Sequence, residues 1–136
     1  MTLTKQNTME ALLLSAETFG VVETLHQFYG ENIKVRICYS KAACEQDVDD
    51  LQLSVRSHNA LKRASLFTME NVIDAIADGT MEKIRNLGRK SVSEIKSVLL
   101  QLGYDKLSER EKEQFFVYVM ENNELCPAVL VKPNAG

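Results

Sequence analysis

With 136 residues, ordinary apolar and charged shares and a formal net charge of −3, the chain has room for one core of ordinary size, or for a small one with appendages. No apolar run approaches the roughly 20 residues that cross a bilayer. Glu10, Glu17 and Glu23 interrupt the N-terminal apolar pattern, which argues against a signal peptide and a membrane partner and makes the cytoplasm the expected compartment. Cys38, Cys44 and Cys126 fit neither a zinc knuckle nor a CxxC pair, and His26 and His58 lack a partner at ligand spacing, so free thiols, no metal and no cofactor are expected. No nucleophile–base or paired-carboxylate arrangement stands out, and a catalytic role is not expected.

Asn7 followed by Glu10 has the form of a helix start, and Leu12, Ala16, Phe19, Val22, Leu25 and Tyr29 recur at helical spacing. One amphipathic helix closing at Gly30 is predicted. Ile33, Val35, Ile37 and Tyr39 then alternate with Lys34, Arg36, Cys38 and Ser40, the period of a strand with one buried face. Residues 42–50 turn polar and acidic, which suits a linker and a domain boundary.

From there the punctuation is helical. Ser54 is placed to cap a helix over 55–64, and Thr68 a second one carrying Met69, Val72, Ile73 and Ile76, stopped by Asp78 and Gly79. Thr80 is placed to cap a short third helix with Met81, Ile84 and Leu87, after which Gly88 provides a tight turn that a side chain would obstruct. A fourth helix over 90–102 presents Val92, Ile95, Val98, Leu99 and Leu102 and stops at Gly103. Ser108 and Glu111 form a capping-box pattern ahead of a fifth helix with Phe115, Phe116, Val119 and Met120.

Residues 128–131 are a short apolar run between Pro127 and Pro133. A lone strand satisfies neither its backbone nor its apolar face, so 33–39 and 128–131 are expected to pair, within one molecule or between two copies of a homodimer. The first and last helices would cover them as a second small core. The expected fold is mainly α: a compact helical module with a helix-hairpin-helix-like turn at 48–104, an appended helix/strand region and acidic linker at 1–47, and a C-terminal helix and tail at 105–136.

Charge is distributed unevenly. Residues 1–52 carry four Lys or Arg against eight Asp or Glu, whereas 53–96 carry Arg56, Lys62, Arg63, Lys83, Arg85, Arg89, Lys90 and Lys96 against Glu70, Asp74, Asp78, Glu82 and Glu94. A basic middle suits a local phosphate-binding surface. Within it, Asn86-Leu87-Gly88-Arg89-Lys90-Ser91 is a glycine turn running into a helix, where unpaired N–H groups and the helix dipole favour phosphate oxygens and Lys90 and Ser91 add a cation and a hydroxyl. Arg56 and Asn59, three apart, share a face at the start of the earlier helix, and an arginine between short polar residues is suited to the negative potential of a narrow A·T-rich minor groove.

The run Val48-Asp49-Asp50-Leu51-Gln52-Leu53-Ser54-Val55-Arg56-Ser57-His58-Asn59-Ala60-Leu61-Lys62-Arg63-Ala64 and the later Asn86-Leu87-Gly88-Arg89-Lys90-Ser91-Val92-Ser93-Glu94-Ile95-Lys96 resemble the C-terminal domain of the bacterial RNA polymerase alpha subunit. The resemblance implies a compact four-helix fold that binds the minor groove of A·T-rich upstream promoter DNA and touches transcription factors. Carried over by position, it implies DNA contacts at Arg56, Asn59, Lys83, Asn86, Gly88, Lys90, Ser91 and Glu94. Glu94 is expected to orient Lys90 or Arg56, since a carboxylate beside DNA is costly. Asp50 falls on the acidic patch that in the family meets the sigma factor.

Three departures accompany the resemblance. Ala60 stands where the family generally has cysteine, the loop at 77–80 is one residue longer, and Gln52 replaces an acid. The alpha subunit's long N-terminal domain does not fit into the 47 residues before Val48, so a free-standing relative is expected. The leading expectation is a non-catalytic DNA-binding module of transcription whose partners are A·T-rich double-stranded DNA and, through Asp50, a transcription factor, sigma factor or RNA polymerase. The alternative is a protein-interaction adaptor or competitor that takes the polymerase domain's place.

Overall fold

The computed structural model describes residues 5–126, and these fall into two compact units, one formed by the two ends of the chain and one by residues 38–103. From the N-terminus the helices are α1 (Lys5–Phe19), α2 (Val21–Tyr29), α3 (Lys41–Cys44), α4 (Val55–Arg63), α5 (Met69–Ala77), α6 (Arg89–Asp105) and α7 (Glu109–Asn122), with 3-10 turns at Val48–Asp50 and Thr80–Lys83. The mainly α expectation holds. Among the described residues no strand forms, and the sole bridge joins Asp47 to Thr68.

In the first unit, the predicted long N-terminal helix is two helices. Gly20 lies at φ 94°, ψ 154°, a conformation open to glycine and strained for other residues. The break lets α2 fold back on α1, and Thr24, fully buried, satisfies its hydroxyl on the Gly20 carbonyl and on Ser15 Oγ. In a continuous helix Leu12 and Leu25, 13 residues apart, would lie about 140° apart around the axis, on different faces. Instead Leu12, Ala16, Val21, Leu25 and Tyr29 share a core with Phe115, Phe116 and Val119 of α7. The Tyr104, Phe115 and Phe116 rings meet edge-to-face, with centroids 5.1–5.7 Å apart, an arrangement aromatic quadrupoles favour.

The strand predicted at 33–39 does not form. The Asn123 side chain accepts from the Lys34 N–H and donates to the Lys34 carbonyl, both at 2.8 Å, and the Cys126 N–H donates to the Phe28 carbonyl. One side chain thus takes up both backbone groups of Lys34, as a neighbouring strand would have done there. Residues 128–131, its expected partner, lie outside the described residues.

In the second unit the acidic stretch is not a linker. Ala43, Val48 and Leu51 are buried with Leu61, Met69, Val72, Met81, Ile95 and Leu99, and Tyr39 packs against the same cluster. The acids point outward from short turns: Asp47 caps the Val48–Asp50 turn by accepting from the Asp49 N–H at 2.7 Å. Backbone bonds from the Val48 N–H to the Phe67 carbonyl and from the Met69 N–H to the Gln46 carbonyl hold this stretch against the turn between α4 and α5. Two stop signals act differently from expectation. Thr80 does not cap a helix with its own side chain, because its N–H and hydroxyl both donate to the Asp78 carboxylate and the turn that follows is 3-10. Gly103 does not end α6, which continues to Asp105 and so buries Tyr104 against Phe115 and Phe116. The cost of about 1 kcal/mol for glycine inside a helix is offset by that aromatic burial.

Candidate nucleic-acid interface

α4 begins where expected. The Ser54 hydroxyl accepts from the Ser57 N–H at 3.2 Å, the capping role its position predicts. Ser57, Ala60 and Leu61 face the core and leave Arg56 and Asn59 exposed, a helix spacing that puts the guanidinium and the amide together on the solvent side. Among the described residues Arg56 makes no ion pair.

The second group lies at the start of α6. Asn86, Gly88 and Lys90 are exposed and Ser91 is half-buried, and the helix has no acidic residue in its first turn. The Val92 N–H donates to the Gly88 carbonyl at 3.0 Å, so the helix proper starts after Gly88 and the N–H groups of its first turn have no intrahelical acceptor. The left-handed residue of this turn is Asn86, at φ 67°, not Gly88. Gly88 is also not obstructed, because a Cβ there meets no heavy atom within 4 Å. The glycine therefore leaves a bare, open approach to the first turn of α6, and Leu87, 8 % exposed, anchors that turn in the core.

This separation of fold from surface gives a test. Gly88→Asp introduces a good helix cap, which should leave the melting temperature unchanged or raise it by the equivalent of about 0.2–0.5 kcal/mol. The same carboxylate would fill the open approach with negative charge and weaken any anion bound there. Duplex titration beside thermal melting checks it, with loss of binding and retained stability as the expected pair.

Glu94 does not orient Lys90 or Arg56, the role its sequence position suggests. Its carboxylate accepts from the Ser54 N–H at 2.9 Å and lies 3.0 Å from the Ser54 hydroxyl, and the Ser57 hydroxyl donates to it at 2.5 Å. These bonds, the Ser57 one foremost, hold its carboxyl below the usual glutamate value, against the opposing effect of burial. Glu94 is thus a bridge from α6 to the first turn of α4. Lys90 lies one turn before it and Ser91 three residues before it, so the face of α6 that meets the start of α4 is the one carrying the turn's polar side chains. The bridge ties the first turn of α4, which carries Arg56, to α6 three to four residues after Lys90 and Ser91.

Sequence reasoning passes over Ser57. It falls on the buried stripe with Ala60 and Leu61, and a hydroxyl in such a position requires a partner, the signal that points to it. The same reasoning passes over Asp49, whose carboxylate takes both His58 Nε2 and, at 3.2 Å, Lys62 Nζ, tying the Val48–Asp50 turn to α4. The His58 and Lys62 bonds lower the Asp49 pKa. Lys83 is exposed on the Thr80–Lys83 turn, where the Thr80 hydrogen bonds first and the Lys83 charge after them hold the Asp78 carboxyl below its usual value, and Asp50 is exposed. His26 is exposed too, and all three cysteines are free thiols. Among the described residues no cluster of His, Cys, Asp or Glu could hold a metal ion, and no helix is long and apolar enough to cross a membrane.

Comparison with known proteins bears on this unit. The sequence model of the family described as the C-terminal domain of the alpha chain of bacterial RNA polymerase matches residues 39–101. The protein is also 38% identical over 91 residues to the DNA-directed RNA polymerase subunit alpha of Malacoplasma penetrans (strain HF-2), a stretch covering 64% of this chain and 27% of that subunit. The chain thus spans about a quarter of the length of that relative. The matched segment contains α4 with Arg56, the 86–91 turn and the Glu94 bridge, and over that segment the chain is similar to the C-terminal domain of the alpha chain of bacterial RNA polymerase.

Proposed function

We propose that residues 38–103 are a non-catalytic DNA-binding module of transcription, in which Arg56 enters the minor groove of A·T-rich duplex, Asn59 lies beside it, and Gly88, Lys90 and Ser91 take a phosphate. The observation that carries this reading is the Glu94 bridge, which fixes the start of α4 to the face of α6 bearing the clamp. Two groups that meet one duplex must keep a fixed separation, and a carboxylate accepting from both serines supplies that rigidity. Asn86 and Lys83 extend the polar side of the clamp, and Glu94 supports the interface without touching it.

The test is titration of labelled A·T-rich and G·C-rich duplexes across a salt series, since the salt slope counts phosphates neutralised and the sequence preference reports the groove. Preference for the A·T-rich duplex with a steep slope is expected, and equal weak binding to both overturns the reading. Lys90→Ala should weaken binding to both duplexes alike and make the slope shallower by about 0.9, because a phosphate contact positions the protein without reading bases. A parent-like slope in that variant removes Lys90 from the clamp.

A second reading, contact with a transcription factor, sigma factor or RNA polymerase, rests on Asp50. Its side chain is exposed on a turn that Asp47 caps and Asp49 ties to His58 and Lys62, so the carboxylate is presented on a rigid base.

A further inference from the structure

α4 carries one more exposed cation than the site described above uses. Taking about 100° per residue, Arg63 lies only about 20° around the helix from Arg56, on the side toward Asn59, which is about 60° away. Arg56, Asn59 and Arg63 are all exposed, and the buried residues Ser57, Ala60 and Leu61 lie to the other side of this stripe. The two arginines are two turns apart, about 10 Å along the axis.

The neighbouring Lys62 is occupied by the fold: its ammonium pairs with Asp49 at 3.2 Å and sits 5.5 Å from the centre of the Phe67 ring. Arg63, by contrast, makes no ion pair with a described residue. A guanidinium at the last turn of a helix also complements the helix dipole, and that role needs no particular face. Placement on the Arg56–Asn59 stripe is what singles Arg63 out.

The geometry points to Arg63 as a further DNA-backbone contact, engaging a phosphate two helix turns from the point where Arg56 enters the groove, so that the whole exposed stripe of α4 runs along the duplex. This rests on the minor-groove reading of Arg56. The contact adds affinity and no base discrimination, because a phosphate carries no sequence information.

The test is titration of the full-length protein and of Arg63→Ala and Arg63→Lys against the A·T-rich and G·C-rich duplexes over a salt series, with melting temperatures measured alongside. Arg63→Ala should bind both duplexes about three- to tenfold more weakly at low salt, with the slope shallower by about 0.9 and the ratio between duplexes unchanged. Arg63→Lys should restore the slope. An unchanged slope in Arg63→Ala, whether or not its melting temperature falls, assigns the residue to the helix dipole and overturns the inference while leaving the Arg56 reading intact. A parent protein that binds neither duplex overturns both.

Discussion

Arg56→Ala is expected to abolish the preference for A·T-rich over G·C-rich duplex while leaving the fold unchanged. The side chain is exposed on the first turn of α4 and makes no ion pair with another described residue, so its removal breaks no internal contact and stability should stay within about 0.5 kcal/mol of the parent. What is lost is a planar, weakly hydrated cation in a narrow groove whose negative potential is highest over A·T-rich sequence. Groove contacts of this kind are worth about 1–3 kcal/mol, roughly a fivefold to hundredfold change in the affinity ratio. Arg56→Lys should recover part of the affinity and little of the preference, because a compact, strongly hydrated ammonium does not match the guanidinium's shape. Competition titrations with the two duplexes at fixed salt measure both effects. Retention of parent-like discrimination in Arg56→Ala sinks the minor-groove assignment.

Glu94→Gln should affect stability and binding together. The carboxylate accepts from the Ser54 N–H and the Ser57 hydroxyl and lies within bonding distance of the Ser54 hydroxyl, joining α6 to α4. An amide replaces one acceptor oxygen by a donor and removes the charge that strengthens these bonds. The loss is about 1–3 kcal/mol, nearer the lower end because the group is only half-buried and partly screened by water. For a unit of this size that lowers the melting temperature by at least about 4 °C. Duplex affinity should drop as well, since the start of α4 loses its tether to the clamp.

The pH dependence of the same group has a definite sign. The folded-state pKa of Glu94 lies below its ordinary value of 4.5, so its stabilising effect is complete above about pH 4.5 and disappears as the pH falls through the lower folded value. The parent should therefore lose stability in that acid window, and Glu94→Gln should lack this component of the loss. Ser57→Ala should reproduce part of the defect, and the double variant should cost less than the sum of the two singles, because both remove the same bond. Additive costs in that cycle would mean that the serine and the carboxylate act independently.

Local chemistry was enough to place several of the helices. Ser54, Thr68 and Ser108 cap α4, α5 and α7 because each offers a hydroxyl to an N–H that no helical carbonyl can reach. The exposure of Arg56 and Asn59 followed from the spacing of the apolar residues around them, and the open anion-favouring turn followed from a glycine placed before a helix without acids in its first turn. These are interactions among residues a few positions apart, and the sequence by itself determined them. Other features depended on groups far apart along the backbone. Whether the apolar run from Leu12 to Tyr29 stayed one helix turned on how the Phe115 and Phe116 surface was to be covered, and the answer appears as a backbone conformation at Gly20 that no periodicity encodes. The alternation at 33–39 had a strand's pattern but found no strand partner among the described residues, and Asn123, 89 residues away from Lys34, bonds that residue's N–H and carbonyl. α6 ran through Gly103 because Tyr104 found an aromatic pocket. Glu94, a surface acid by sequence, became the link between two helices only because the fold carried two serines 37 and 40 residues away to its carboxylate. Hydrogen bonds and apolar burial reward proximity in space, and for pairs this distant in sequence only the tertiary structure decides which groups are close.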